Sequence, residues 1–360
     1  MTDFEYRRGD GIDTYVPILY TKAGERRALG SLDSAKKKRL LPLFVIPPIQ
    51  WDYMEEQPLK TIDEHLAKLP GQLIADWGTG TAFIDGYHVM DEVIAGLNPI
   101  EWIVDQTRTE GLPLIPAVSE VYSPAYIAGV QNLVTSQDRQ QVCLRLTAEQ
   151  WPGLTGGSVA AFLRRLGVDV ENVHLVLDLR DDTSQAALAH VAAELQRLPH
   201  ALDWRTVTVA ATAIPATSPT RGSGIDVIDR QEWINYQSLL GSRAYGAREP
   251  LFGDYAISHP DLAETDPRKL QIRAKIKYTA DDTWLWVKGG MYKANNGQSV
   301  GGTAIIPAVA ALKARPEYTS GHCGGEQWID AAAGVGPTGN TTTWVTVGTQ
   351  HHLLRVLDQV

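Results

Sequence analysis

Short apolar runs alternate with amphipathic stretches along most of the chain. The runs YVPILY (15–20), LPLFVI (41–46), LIADW (73–77), LPLIPAV (112–118), QVCLRL (141–146), VHLVLDL (173–179), TVTVAAT (206–212) and LFGDYAI (251–257) have the length and apolar content of buried strands. Helical spacing occupies TIDEHLAKL (61–69), PAYIAGVQNLVTS (124–136), SVAAFLRRLG (158–167), SQAALAHVAAELQRL (184–198) and RQEWINYQSLLGS (230–242). Ser158 and Ser184 suit N-caps, and Gly167 and Pro199 suit stops. Eight strand-helix units in succession predict parallel strands joined by crossovers, and the count matches a TIM-like (β/α)8 barrel of the α/β class. A doubly wound open sheet is the alternative that the same alternation allows.

The rhythm breaks beyond about residue 268. IRAKIKYTADDTWLWVKGG (272–290) reads as an antiparallel hairpin turning at Asp281 and Asp282. After it come a Gly/Asn-rich link (289–303), an apolar helix AIIPAVAALKA (304–314), and a last segment carrying HCGGEQWID and WVTVGTQHHLLRVL. This divides the chain into a barrel, residues 1–268, and a C-terminal hairpin and helical extension, residues 269–360, packed on it.

Composition narrows the possibilities. With 44% hydrophobic and 21% charged residues in 360, the chain can bury a large core and is neither disordered nor fibrous. A net charge of -9 argues against nonspecific coating of nucleic acid and leaves room only for a local basic groove. Two cysteines, Cys143 and Cys323, do not make a disulfide scaffold, which points to the cytoplasm. The polar opening MTDFEYRRGDGID lacks the apolar region of a signal peptide, and no run of eighteen apolar residues occurs, so no membrane partner is expected.

Barrel strands turn alternate residues inward, and chemistry in this fold sits at their C-terminal ends. In VHLVLDLR, Leu175, Leu177 and Leu179 would cover helices, leaving His174, Val176 and Asp178 inside. Arg145 shares a face with Cys143, and the same parity puts Asp76 near the mouth. Six strand ends thus offer an ionisable group: Lys22, Asp76, Glu120, Arg145, Asp178 and Asp254. Inward charge is costly unless paired or used. Asp76, Glu120, Asp178 and Asp254 would serve as catalytic acids and bases on a phosphate or glycosidic substrate, or would hold a divalent metal as cofactor, while Lys22 and Arg145 bind an anion. Any one of them taken singly is also an ordinary loop or capping residue. Cys143 reads as core packing, and the glycine-rich GTGTAF (78–83) lacks a complete nucleotide-binding pattern.

The hairpin adds a second feature. Pairing Tyr278 with Leu285, Ile276 with Val287 and Lys277 with Trp286 leaves Arg273, Lys275, Lys277, Trp284, Trp286 and Lys288 on one face. Basic residues among aromatics can track a nucleic-acid backbone and stack its bases, so Arg273, Trp286 and Lys288 join the candidate ligand contacts, as does His351. A hairpin that solvates its lysines gives the same pattern. His322, Cys323, Glu326, His351 and His352 are metal-ligating residue types, but their spacing matches no familiar zinc motif, and adjacent histidines on a strand would point apart.

The opening YVPILYTKAGERRAL, the run LLPLFVIPPI, and the closing GEQWID and TTTWVTVGTQHHL together resemble the beta protein family of phages, prophages and bacterial genomes. The resemblance runs from about residue 13 to 355 and is carried by Lys22, Glu25, Pro47, Pro48, Trp344, His351 and His352; Gln350 stands where an asparagine is expected. It implies a barrel-like α/β fold and a place in phage-host conflict, in defence or counter-defence, without a defined reaction. The expectation is a barrel mouth, covered by the hairpin, that binds an anionic ligand such as a nucleotide or nucleic acid and hydrolyses it. The alternative is a non-catalytic protein that captures a phage or host partner.

Overall fold

The computed structural model describes residues 13–136, 141–262, 272–292, 300–334 and 336–360. The polar N-terminal stretch up to residue 12, the boundary drawn at 268/269, and residues 293–299 of the Gly/Asn-rich link lie outside them.

β1 (Tyr15–Tyr20) passes through Lys22 into α1 (Ala23–Gly30) and the short α2 (Ser34–Lys37), and β2 (Leu43–Val45) follows. A two-stranded ribbon of β3 (Trp51–Asp52) and β4 (Gln57–Pro58) precedes α3 (Ile62–Leu66) and α4 (Leu69–Trp77). The alternation continues with β5 (Ala82–Asp85), α5 (Pro99–Thr109), β6 (Leu114–Val118), α6 (Pro124–Ser136) and β7 (Val142–Thr147). Then come α7 (Pro152–Gly156), α8 (Ser158–Leu166), β8 (Val173–Asp178), α9 (Gln185–Gln196) and β9 (Thr206–Ala211). After β10 (Gly224–Asp229) and α10 (Gln231–Ser242), β11 (Leu251–Asp254) closes a parallel barrel in the order β1-β11-β9-β8-β7-β6-β5-β2. The TIM-like (β/α)8 architecture follows.

Side-chain alternation fixes what each barrel strand contributes. Val16, Ile18, Phe83, Cys143, Val176 and Ala210 fill the interior. Tyr15, Leu19, Ile84, Leu144, Leu175 and Phe252 face the helices. One expected strand is wrong: LIADW is the last turn and a half of α4, and the third barrel strand is Ala82–Asp85. Pro70 in the first turn starts α4 well, and its buried Leu69, Leu73 and Trp77 recur every four residues, so the apolar cluster read as a strand is a helical stripe.

The predicted hairpin forms in the predicted register. β12 (Arg273–Thr279) pairs with β13 (Thr283–Met291), with Ile276, Lys277 and Tyr278 opposite Val287, Trp286 and Leu285; β10 adds a third antiparallel strand along β13. Its surroundings differ from the expectation. Ile276, Tyr278, Leu285 and Val287 pack with α11 (Ile306–Lys313), α12 (Gly324–Ala332) and α13 (Thr341–Gln359). The other face is buried along β13, where Trp284 and Trp286 pack on Ile214 and Ile257 in the loops after β9 and β11, and stays open at Lys275 of β12.

α13 ties these layers together. Its Trp344 and Val347 belong to the hairpin core, while Leu353, Val356 and Leu357 belong to the outer core of the barrel with Tyr15 and Phe252. The end of the chain thereby lies against its beginning, alongside α1. The paired histidines stand on this helix rather than on a strand, and a helical step of about 100° lets them straddle Thr279. His351 Nε2 meets the Thr279 carbonyl at 2.8 Å, and His352 Nδ1 meets its hydroxyl at 2.9 Å.

Contact between α13 and α1 requires a glycine. A Cβ at Gly24 would lie 2.6 Å from Val345 Cγ1 and 3.2 Å from the Thr342 carbonyl oxygen, both on α13. Gly24→Ala is therefore expected to destabilise the protein by about 1–3 kcal/mol through overpacking, read as a lower urea midpoint at unchanged m-value.

Candidate ligand site at the barrel mouth

The interior positions at the ends of β5, β7 and β8 are Asp85, Arg145 and Asp178, and one arginine joins all three. Arg145 Nη1 donates to Asp85 Oδ2 at 2.8 Å; its Nε and Nη2 donate to Asp178 Oδ2 at 2.9 and 2.7 Å. Tyr122 donates to Asp85 at 3.0 Å and Tyr255 to Asp178 at 2.6 Å. The second oxygens are taken by backbone: Tyr87 N donates to Asp85 Oδ1 and Arg180 N to Asp178 Oδ1, each at 2.9 Å. Both carboxylates are fully buried, and the arginine side chain keeps 11% exposure. Burial alone would pull the Arg145 guanidinium down, but Tyr255, Asp178 and Asp85 hold it well above the usual arginine range.

Above this floor opens a cavity of roughly 430 Å³. Its walls come from loops after several strands: Tyr20, Tyr87, His88, Tyr122, Arg180 and Thr147 supply the aromatic and polar surface, and Pro48 and Leu262 supply apolar edges. Burial holds His88 below the usual imidazole range, and the cations Arg145, Arg180 and Lys22 push the same way against Asp85. His88 is therefore a neutral imidazole at pH 7. Burial also raises the Tyr20 phenol, which donates to the Pro260 carbonyl at 2.8 Å and so fixes the loop that closes one side.

The structure brings together some of the sequence-predicted residues and separates others. Arg145 and Asp178 form the floor, and exposed Lys22 stands at the rim with Nζ 5.4 Å from the Tyr20 ring centre. Glu120 follows β6 beside the cavity residues Val121 and Tyr122, its Oε1 turned towards Gly153. Asp76 lies elsewhere: because its segment is helical, it projects from α4 to pair with Arg26 of α1, and its carbonyl accepts from Lys37 Nζ at 2.8 Å. Asp254 also leaves the set. It shares the parity of Phe252, faces outward, and is buried against Tyr15 and His352, with His352 Nε2 at 2.8 Å.

The hairpin residues move out of the site because the hairpin packs away from the mouth: Trp284, Trp286 and Lys288 are buried, Arg273 and Lys277 are half-buried, and Lys275 is exposed to solvent. Trp286 is buried beneath Lys275 and Lys277, with no ring face free for a base. Lys288 is buried and donates to Asp226 at 2.9 Å, and Arg273 donates to the Gly289 carbonyl at 2.7 Å. His351 stacks on Tyr278 with ring centres 4.1 Å apart. The cavity is lined by Pro260, Asp261 and Leu262 and not by the hairpin. Sequence reasoning missed Asp85 and His88, although the parity of AFID would have put Asp85 inside once that segment was taken as a strand.

A family model described as Beta protein matches residues 15–358. The chain belongs to the beta protein family. No curated protein matches it. Of the positions that carried the resemblance, Pro48 lines the cavity and Lys22 flanks it, whereas Trp344 and His351 pack against the hairpin and His352 reaches Asp254 of β11. Among the described residues, no helix is long and apolar enough to cross a membrane.

Glu25, another of those positions, is buried where α1 leaves β1. Its Oε1 accepts from Ser258, and its Oε2 has no hydrogen-bond partner. Burial pushes Glu25 up to about 7. An acid raised in the folded state favours folding at low pH and loses that contribution as pH rises through its folded value. Ionisation of Glu25 is accordingly expected to cost stability between about pH 4.5 and 7, by on the order of 3 kcal/mol at most, against the opposite contribution of the buried His174 and His351. Glu25→Gln should remove that cost from the stability-pH curve measured by urea unfolding.

Proposed function

We propose that the barrel mouth binds a small anionic ligand with a planar ring, of nucleotide type. One observation carries the reading: a cavity of roughly 430 Å³ sits on a buried Asp-Arg-Asp floor and is walled by tyrosines and a neutral histidine. That volume is in the usual range for small-molecule sites of about 300–1,000 Å³. Tyr87, 43% exposed, offers a ring for stacking, and Arg180, paired at the surface with Asp261, offers a guanidinium that can exchange this partner for a ligand anion. A nucleic-acid strand is less well served, since the tryptophans that would stack its bases are buried.

Hydrolysis is the extension of this reading, and His88 favours it. A neutral imidazole facing the cavity is able to take a proton from water, whereas Asp178 and Asp85 already spend their acceptor positions on Arg145, the tyrosines and backbone N–H groups. The two aspartates are then positioning residues. A role in phage-host conflict is proposed on the resemblance alone, and non-catalytic capture of a phage or host protein is the second reading.

Calorimetry and thermal shift with mononucleotides, dinucleotides and short oligonucleotides test the proposal. A mononucleotide or dinucleotide is expected to bind, and Arg180→Ala and Tyr87→Ala are each expected to weaken it by about 10- to 100-fold without lowering the melting temperature of the free protein. Flat responses to the whole panel, or affinities unchanged in both variants, would overturn the assignment. His88→Gln should abolish turnover and leave binding intact; binding without turnover in the unmodified protein would select pure capture.

A further inference from the structure

Away from the mouth, α12 and α13 bring three metal-ligating side chains to one buried point. Cys323 N-caps α12, Glu326 lies in its first turn, and His351 projects from the middle of α13. Their ligand atoms all lie within 4.8 Å of one another, and all three residues are buried. His351 Nδ1 is 3.8 Å from Cys323 Sγ and 3.4 Å from Glu326 Oε1.

The tautomer of His351 decides what this point can hold. Its Nε2 faces the Thr279 carbonyl at 2.8 Å, and a carbonyl oxygen can only accept, so the proton of the neutral ring is on Nε2. Nδ1 therefore presents a lone pair to Glu326 Oε1, which is itself an acceptor and already receives the Tyr278 hydroxyl at 2.9 Å. The Cys323 thiol lies within weak hydrogen-bond reach of Nδ1 at 3.8 Å, and a divalent cation held by sulfur, imidazole and carboxylate would satisfy all three groups together and relieve the contact of two acceptors at 3.4 Å. The ligand atoms of a tetrahedral zinc stand roughly 3.3–3.8 Å apart, given bonds of about 2.3 Å to sulfur and about 2.0–2.2 Å to nitrogen and oxygen. The separations of 3.4 and 3.8 Å from Nδ1 match that spacing, and sulfur and carboxylate lie within 4.8 Å of each other. The surroundings also suit a metal: the distal N–H of a ligating histidine ordinarily donates to a carbonyl or carboxylate, and here Thr279 takes it while Tyr278 holds the glutamate.

We propose that Cys323, Glu326 and His351 bind a borderline-soft divalent cation, zinc by the chemistry of its donors. Bound there, the cation fastens the start of α12 to the middle of α13, the helix that closes the fold. The notion that histidine and cysteine spacing matches no zinc motif does not oppose this, because the ligands come from two helices separated by a turn and are assembled by packing.

The test uses the full chain. Zinc in protein purified without chelator is measured by mass spectrometry, and metal-stripped protein is titrated with Co²⁺ as spectroscopic probe. One equivalent should bind and produce a thiolate-to-cobalt charge-transfer band in the near ultraviolet. The band should vanish in Cys323→Ala and persist in Cys143→Ala, where the other cysteine is removed. Tyr278→Phe should weaken Co²⁺ binding by about 10- to 100-fold, and His351→Gln should weaken it further. Folded wild-type protein that takes up neither zinc nor Co²⁺ would overturn the proposal, as would a band that survives in Cys323→Ala. The wild-type titration decides the matter even if a variant fails to fold.

Discussion

Arg145 is the interaction around which the mouth is organised. A guanidinium pointing into a parallel barrel is largely shielded from water, and it is tolerable only because Asp178 on the adjacent β8 and Asp85 on β5, one strand further round, meet it at hydrogen-bond distance. Removing the arginine would leave two buried carboxylates without their cation, and removing either carboxylate would leave the guanidinium's hydrogen bonds on that side unmade; keeping all three fixes the ends of β5, β7 and β8 relative to one another. The same aspartates also hold the backbone of Tyr87 and Arg180, so the floor sets where the wall residues stand.

The second constraint is closure of the ring by the last helix. Asp254, turned outward from β11, is stabilised by Tyr15 at the start of the chain and His352 near its end. Burial raises the cost of the Asp254 charge, but His352, Tyr15 and the Ala256 amide outweigh it and hold the carboxyl below its usual range. The same burial keeps His352 below the usual imidazole range, so the pair works as a neutral ring donating to a carboxylate. A fold of this kind joins its first strand and last helix through polar groups that have no role at the mouth.

Much of the barrel was legible because period-two and period-3.6 patterns differ most in long, strongly apolar segments. VHLVLDL gave the right strand and the right inward set, and the hairpin gave its register because Asp281 and Asp282 fix the turn. LIADW failed because five residues with four apolar positions fit a strand and a helical stripe equally well, and the true strand AFID is only four residues long. The site was legible where parity alone decides direction, as at Arg145 and Asp178. Asp254 was lost because parity was not carried through from Phe252. Trp286, Lys288 and His351 were lost because a sequence shows that a face is polar but not that another layer of the protein covers it. Long-range convergence, such as that of Cys323 and His351, has no local signal.

The Arg145 bracket behaves as one unit, and a double-mutant cycle tests this directly. Arg145→Met and Asp178→Leu are each expected to cost about 3–5 kcal/mol in urea unfolding, with the double variant costing less than their sum by about 1–3 kcal/mol. Strict additivity of the two losses would contradict the central claim, because it would mean that the arginine and the aspartate do not depend on each other.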